Sequence, residues 1–179
     1  MKVFRISVFF IVFAALMLTV AACTAPSPKW NSADDVTGSR FDTGLFSVLI
    51  PDGWSGVAVS DTFDEYDGDT DPSQVYIAKG NNIKNEIAVY SKPYILVEFT
   101  PAAETFYEPS SMFYDNVEEQ TVSIGGREWK GFSGHFVNDC IVLWTELEDG
   151  SHAQFTIYHK DQVSVQDPDI QAMLMSIGH

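Results

Sequence analysis

The sequence predicts a small α+β domain, an antiparallel β-sheet with one C-terminal helix packed on it, and three observations lead there. Short alternating apolar runs recur along the chain, separated by Gly, Pro, Asn and Asp. One clear amphipathic helical stretch is legible, near the C-terminal end. Neighbouring strands joined by short turns favour antiparallel pairing, and a lone helix covers one face of such a sheet.

The elements follow in order over a single domain expected at residues 40–179. In Phe41–Trp54, Phe46, Val48 and Ile50 alternate with Leu45, Ser47 and Leu49, the pattern of a strand buried on at least one face. Pro51-Asp52-Gly53 then forms a turn, Trp54 caps the core, and Val57 and Val59 mark a second strand. Asp61–Gln74 is an acidic loop. Gln74–Gly80, Glu86–Ser91 and Tyr94–Thr100 read as three further strands, set apart by Gly80-Asn81-Asn82 and Lys92-Pro93. In Pro101–Gln120 the Pro109-Ser110-Ser111 break leaves a loop with a short helix.

The second half predicts two hairpins. Thr121–Ile124 and Glu128–Phe136 flank Gly125-Gly126, and Asp139–Leu147 and His152–His159 flank Glu148–Ser151. The closing helix has Asp167 as N-cap and Pro168 in its first turn. Ile170, Met173, Leu174 and Ile177 form its apolar stripe, and Gly178 ends it.

Ahead of the domain the chain changes character. Met1–Arg5 carries Lys2 and Arg5, Ile6–Val20 is almost wholly apolar, and Val20-Ala21-Ala22-Cys23 follows at once. A short charged and apolar leader ending in small residues is an export signal, and a thiol directly after it resembles the bacterial lipobox. The resemblance implies that residues 1–22 are a lipoprotein signal peptide and that Cys23 becomes the acylated N-terminus. Residues 23–39, rich in Pro, Ser, Asp and Gly, are then a tether. Two or more acyl chains hold a protein stably at a membrane where one does not. The expected location is the extracytoplasmic face of the cell membrane, lipid-anchored. The other cysteine, Cys140, sits in an apolar run and is expected to be a buried small hydrophobe.

The formal net charge is −15, and losing Lys2 and Arg5 with the leader makes it two units more negative. Such a surface repels phosphate backbones and anionic headgroups, which argues against nucleic acid and polybasic membrane docking. It leaves an envelope protein partner open.

The order of the pieces also resembles a family. An opening strand ending in IPDGW, a hairpin carrying SIGGREWKGF, two long antiparallel strands and a closing helix ending in MLMSI are similar to the PsbP-like fold over Phe41–Ile177. The segment Asp61–Gln120 departs from the pattern. That group includes photosystem II extrinsic subunits and many bacterial lipoproteins. The resemblance implies a non-catalytic assembly or binding module and carries over no functional residue.

Chemistry-bearing motifs are few. Asp67, Asp69 and Asp71 place alternate carboxylates around Gly68 and Thr70, a candidate Ca²⁺ loop, but the order and distal Glu of an EF-hand are missing. A plain solvated loop is the competing reading and the preferred one. His152 and His159, seven apart, are expected on opposite faces, and no HExxH or CxxC pattern supports a metal site. Ser133 and His135 share a strand face, yet no G-x-S-x-G elbow or orienting acid accompanies them. Ile124–Arg127 lacks the features of a phosphate loop. No catalytic residue, metal or cofactor is therefore expected.

One feature remains: the aromatic group Phe99, Phe106, Tyr107, Met112, Phe113 and Tyr114. Phe106, Tyr107, Phe113 and Tyr114 are the candidate lining of an apolar groove for a lipid, glycan or peptide. The competing reading is that these rings cover the sheet face left open by the helix. The leading expectation is a non-catalytic, membrane-tethered binding or assembly module. A small-molecule or lipid carrier using the Phe106–Tyr114 groove stands second, and an envelope hydrolase third.

Overall fold

The computed structural model describes residues 33–62, 69–159 and 161–178. Nine strands lie among them: β1 (Gly38–Asp42), β2 (Ser47–Pro51), β3 (Trp54–Ser60), β4 (Thr70–Lys79), β5 (Tyr94–Thr100), β6 (Asp115–Ile124), β7 (Arg127–Phe136), β8 (Asn138–Glu146) and β9 (His152–Tyr158). Two helices accompany them, α1 (Glu86–Val89) and α2 (Pro168–Ser176). Seven strands form one antiparallel sheet in the order β3-β4-β5-β9-β8-β7-β6, while β1 and β2 form a separate hairpin.

The strand order decides where everything else goes. β3-β4-β5 and β6-β7-β8 are two meanders, and β9 inserts between β5 and β8 to join them. Leaving β5, the chain must therefore pass the positions of β9, β8 and β7 before β6 begins at the far edge. Residues 101–114 make that crossing. The β6–β7 turn is tight because Gly125 and Gly126 both take positive φ, 59° and 78°, which a two-residue hairpin turn of this hand requires.

Alternation along the strands sends one set of side chains to the core. Val75, Ile77, Ile95, Val97, Trp129, Leu143, Phe155 and Ile157 are buried there with Phe46, Val48 and Ile50 of β2 and Ile170, Met173 and Leu174 of α2. Phe46 stacks on Phe99 with centroids 5.2 Å apart, and Trp129 meets Phe155 edge to face at 5.4 Å. Burying each such side chain is worth about 1.5–3 kcal/mol. The antiparallel sheet and closing helix are as expected, with strand far outweighing helix. Ser47 N–H donates to Gly178 O at 2.7 Å and Gly178 N–H donates back to Ser47 O at 3.2 Å, so the last described residue is paired to β2.

The expected acidic loop Asp61–Gln74 ends earlier, since residues 70–74 already belong to β4, and four further expectations are corrected. Glu86–Ser91 is not a strand: Asn85 caps α1, its side chain accepting from Ala88 N–H at 3.0 Å, and β4 pairs directly with β5. The Glu86 carboxylate then accepts from Ser60 N–H and Oγ at 2.7 and 2.8 Å. Second, Gly38 and Ser39 pair with Pro51 and Ile50 in β1, so they belong to the domain and not to the expected tether at 23–39. Arg40 fixes this hairpin by donating to Ser47 Oγ at 2.6 Å and to Ser176 O at 3.0 Å. Third, residues 115–120 are strand, the first half of β6, and not loop. Fourth, Asp167 holds the N-cap position of α2, but its carboxylate accepts from Ser164 N–H instead of capping the helix.

Candidate functional site

The crossing segment 101–114 is a strap over the sheet face opposite the core. Glu104 N–H donates to Pro101 O to turn the chain, and Ser110 Oγ accepts from Met112 N–H to start a 3-10 turn at Ser111–Phe113. Two rings pin it. Phe106 lies flat on His152 of β9, centroids 4.3 Å apart and planes within 8°. Tyr114 packs edgewise on Phe132 of β7 at 5.0 Å.

The aromatic residues grouped in the sequence are not grouped in space. Phe99 belongs to the core, stacked on Phe46. Phe106 and Tyr114 are the anchors of the strap. Tyr107, Met112 and Phe113 point outward, 82%, 77% and 72% exposed. Of the four rings expected to line an apolar groove, Phe106 and Tyr114 thus pack against the sheet while Tyr107 and Phe113 are exposed to the other side.

What the strap does create is a trough of different composition. One cleft of about 470 Å³ includes Ser111, Gln120, Thr121 and Phe132 in its walls, and a second of about 370 Å³ includes Phe106, Arg127, Glu146 and His152. Glu108, Lys130 and Trp144 line both. Gln74, Glu98, Gln154, Trp144, Lys130 and Thr121 stand side by side across β4, β5, β9, β8, β7 and β6, and the last three of this row line the clefts. Trp144 Nε1 is buried on this face without an acceptor among the described residues, whereas the other such donors, Trp129 Nε1, Gln120 Nε2 and Arg127 Nη1, belong to positions that alternate to the core face. Buried polar groups are nearly always bonded, so the unpaired indole N–H of Trp144 is unusual. Glu98 accepts from Gln154 Nε2. Burial, and secondarily the negative charge of Asp71, raises the Glu98 carboxyl above its ordinary value.

Beside the trough a tyrosine cluster fills the same face. Tyr94 stacks on Tyr158 at 4.4 Å, and the hydroxyls of Tyr76 and Tyr90 lie 3.1 Å apart. Burial pushes Tyr94 up to about 12 and raises Tyr76, Tyr114 and Tyr158 as well. These phenols stay neutral donors across the ordinary pH range. Cys140 is fully buried alongside, its thiol toward Gly134 O at 3.7 Å, in keeping with a packing role.

The remaining sequence candidates fall as follows. Cys23 and Asp67 lie outside the described residues. The Asp71 carboxylate accepts from Ser73 N–H and Oγ and from Gln74 Nε2, so it serves a local turn. No three His, Cys, Asp or Glu side chains among the described residues are placed to hold a metal ion. His152 and His159 share the strap-side face, against expectation. His159 takes φ 61°, which breaks the alternation and turns its ring toward Tyr94. Asp139 is the acid that sequence reasoning did not assign to His135: it sits directly across from it in β8, Oδ1 2.9 Å from Nδ1. Ser133 makes no hydrogen bond to that ring. Among the described residues no helix is long and apolar enough to cross a membrane.

No protein-family model matches the chain, and no curated protein matches it. Among solved structures the chain is similar to the solution structure of cyanobacterial PsbP (CyanoP) from Synechocystis sp. PCC 6803, at 13% identity and a TM-score of 0.41, over 89% of this chain and 98% of that one.

Proposed function

We propose that the chain is an extracytoplasmic lipoprotein, anchored in the cell membrane through lipid on Cys23, whose PsbP-like sandwich domain is a non-catalytic binding or assembly module. The leader supports the location: two cations, an apolar run and Ala21-Ala22-Cys23. The observation that carries the binding role is the trough under the strap, where Trp144, Lys130 and Glu108 line two adjacent clefts and the buried Trp144 Nε1 lacks an acceptor among the described residues. A stable fold gains nothing from an orphaned donor, whereas a partner that supplies an acceptor relieves it.

Two other readings rank below it. A carrier of small apolar molecules would use Tyr107, Met112 and Phe113, but the clefts are walled by Glu, Lys, Ser and Thr, which suits a polar ligand. An envelope hydrolase would start from the His135–Asp139 pair, which has no hydroxyl or thiol nucleophile hydrogen-bonded to it.

The location is tested on the native protein. Intact mass is expected to show the chain starting at Cys23 with acyl mass added, and Cys23→Ser is expected to keep residues 1–22 and take up no fatty-acid label. A bare thiol at position 23 would remove the anchor. For the binding role, cross-linking in native membranes is expected to give a defined adduct that the double substitution Glu108→Gln with Lys130→Met abolishes.

A further inference from the structure

We infer that the trough under the strap takes a neutral oligosaccharide, an assignment that rests on the binding-module reading and names its ligand. The argument starts from charge. Lys130 and Glu108 line both clefts, yet Lys130 makes no ion pair among the described residues and stays available. Around them stand Glu119, Glu128 and Glu146 on one side of the balance and Arg127 on the other. Carboxylates outnumber cations, so an anionic ligand is repelled. An aliphatic ligand fails differently: it would leave the buried Trp144 Nε1 without an acceptor.

A hydroxyl group satisfies both kinds of wall, because it donates to a carboxylate and accepts from an ammonium, guanidinium, amide or indole N–H. A sugar ring carries several such hydroxyls around its rim and an apolar C–H face. The trough offers surfaces for that face in Trp144, Phe132 and the stacked Phe106–His152 pair. Each cleft is of ordinary ligand size, and the two adjoin at shared residues, which fits consecutive sugar units better than a single one. An extended peptide is the less favoured occupant. Strands β7 and β8 of the floor have ladders filled on both sides, and the sheet edge nearest them, on β6, faces away from β7, so main-chain pairing would put a peptide beside the trough and not in it.

The test uses the full chain in mild detergent, titrated with a neutral chito-oligosaccharide, with an oligogalacturonate as the acidic counterpart. Calorimetry and tryptophan fluorescence are expected to report saturable binding of the neutral probe and none of the acidic one. Glu108→Gln and Lys130→Met are each expected to weaken binding at least tenfold without moving the melting temperature, since both side chains are exposed. Trp144→Phe keeps most of the ring surface but loses the N–H, and is expected to weaken binding and abolish the fluorescence response. Absence of saturable binding, preference for the acidic probe, or indifference to all three substitutions would overturn the assignment. If sugars do not bind while a cross-linked partner still depends on Glu108 and Lys130, only the ligand class is wrong. If both fail, the binding-module reading falls with it.

Discussion

The two faces of the seven-stranded sheet are made from the same strands and have opposite characters. Toward α2 and β2 the face is sealed, with Ile77, Ile95, Trp129, Leu143, Phe155 and Ile157 at 0% exposure. Toward the strap it mixes Tyr76, Tyr94 and Tyr158 with Glu98, Gln154, Trp144 and Lys130. Residue parity along a strand thus separates two tasks. Trp129 and Lys130 are neighbours in sequence, yet one is sealed in the core and the other stands exposed in the clefts.

That division can be broken experimentally, beginning where the effect is largest. Trp129→Ala is expected to cost about 3–5 kcal/mol, the range for emptying a large buried aromatic site, measured by urea unfolding. A loss below about 1 kcal/mol would show that the sealed face is not tightly packed. Glu98→Gln, on the opposite face, is expected to stabilise at neutral pH. The folded Glu98 pKa is raised, chiefly by burial. The native state therefore bears a cost for the ionised form, which appears as pH rises past the unfolded value of about 4.3 and is absent below it. The gain from Glu98→Gln should accordingly vanish in melting experiments near pH 4, and a gain that persisted there would point to packing instead of charge. The smallest effect is expected on the strap's outer side. Tyr107→Ser and Phe113→Ser should each stay within about 0.5 kcal/mol of the parent, and a larger loss would mean that these rings are covered.

Much of the sealed face was legible because its alternation is local. Tyr94–Thr100, Asp139–Leu147 and His152–His159 each show the period of two that burial of one face requires. Edges were harder. Asp115–Gln120 is exposed on both faces apart from Gln120, so it carries no apolar period although it is half of β6. Glu86–Ser91 alternates like a strand, but capping by Asn85 and the direct pairing of β4 with β5 leave it as a helical turn. The trough was not visible for a non-local reason. Trp144 and Lys130 are direct partners in the β7–β8 pair, but that the strap carries Glu108 over them depends on β9 inserting between β5 and β8. Runs of aromatic letters such as Phe106–Tyr114 say little about which rings meet, because the backbone turns between them.

The reciprocal hydrogen bonds between Ser47 and Gly178, together with the hold of Arg40 on Ser176 O, have a consequence for the order of assembly. The opening hairpin finds its packing surface on α2, the final element of the chain, and the central strand β9 also comes late. A polypeptide emerging from its N-terminal end has little to settle upon until nearly all of it is out. Contacts of such long sequence separation slow folding, so docking of this hairpin is expected to be among the last steps.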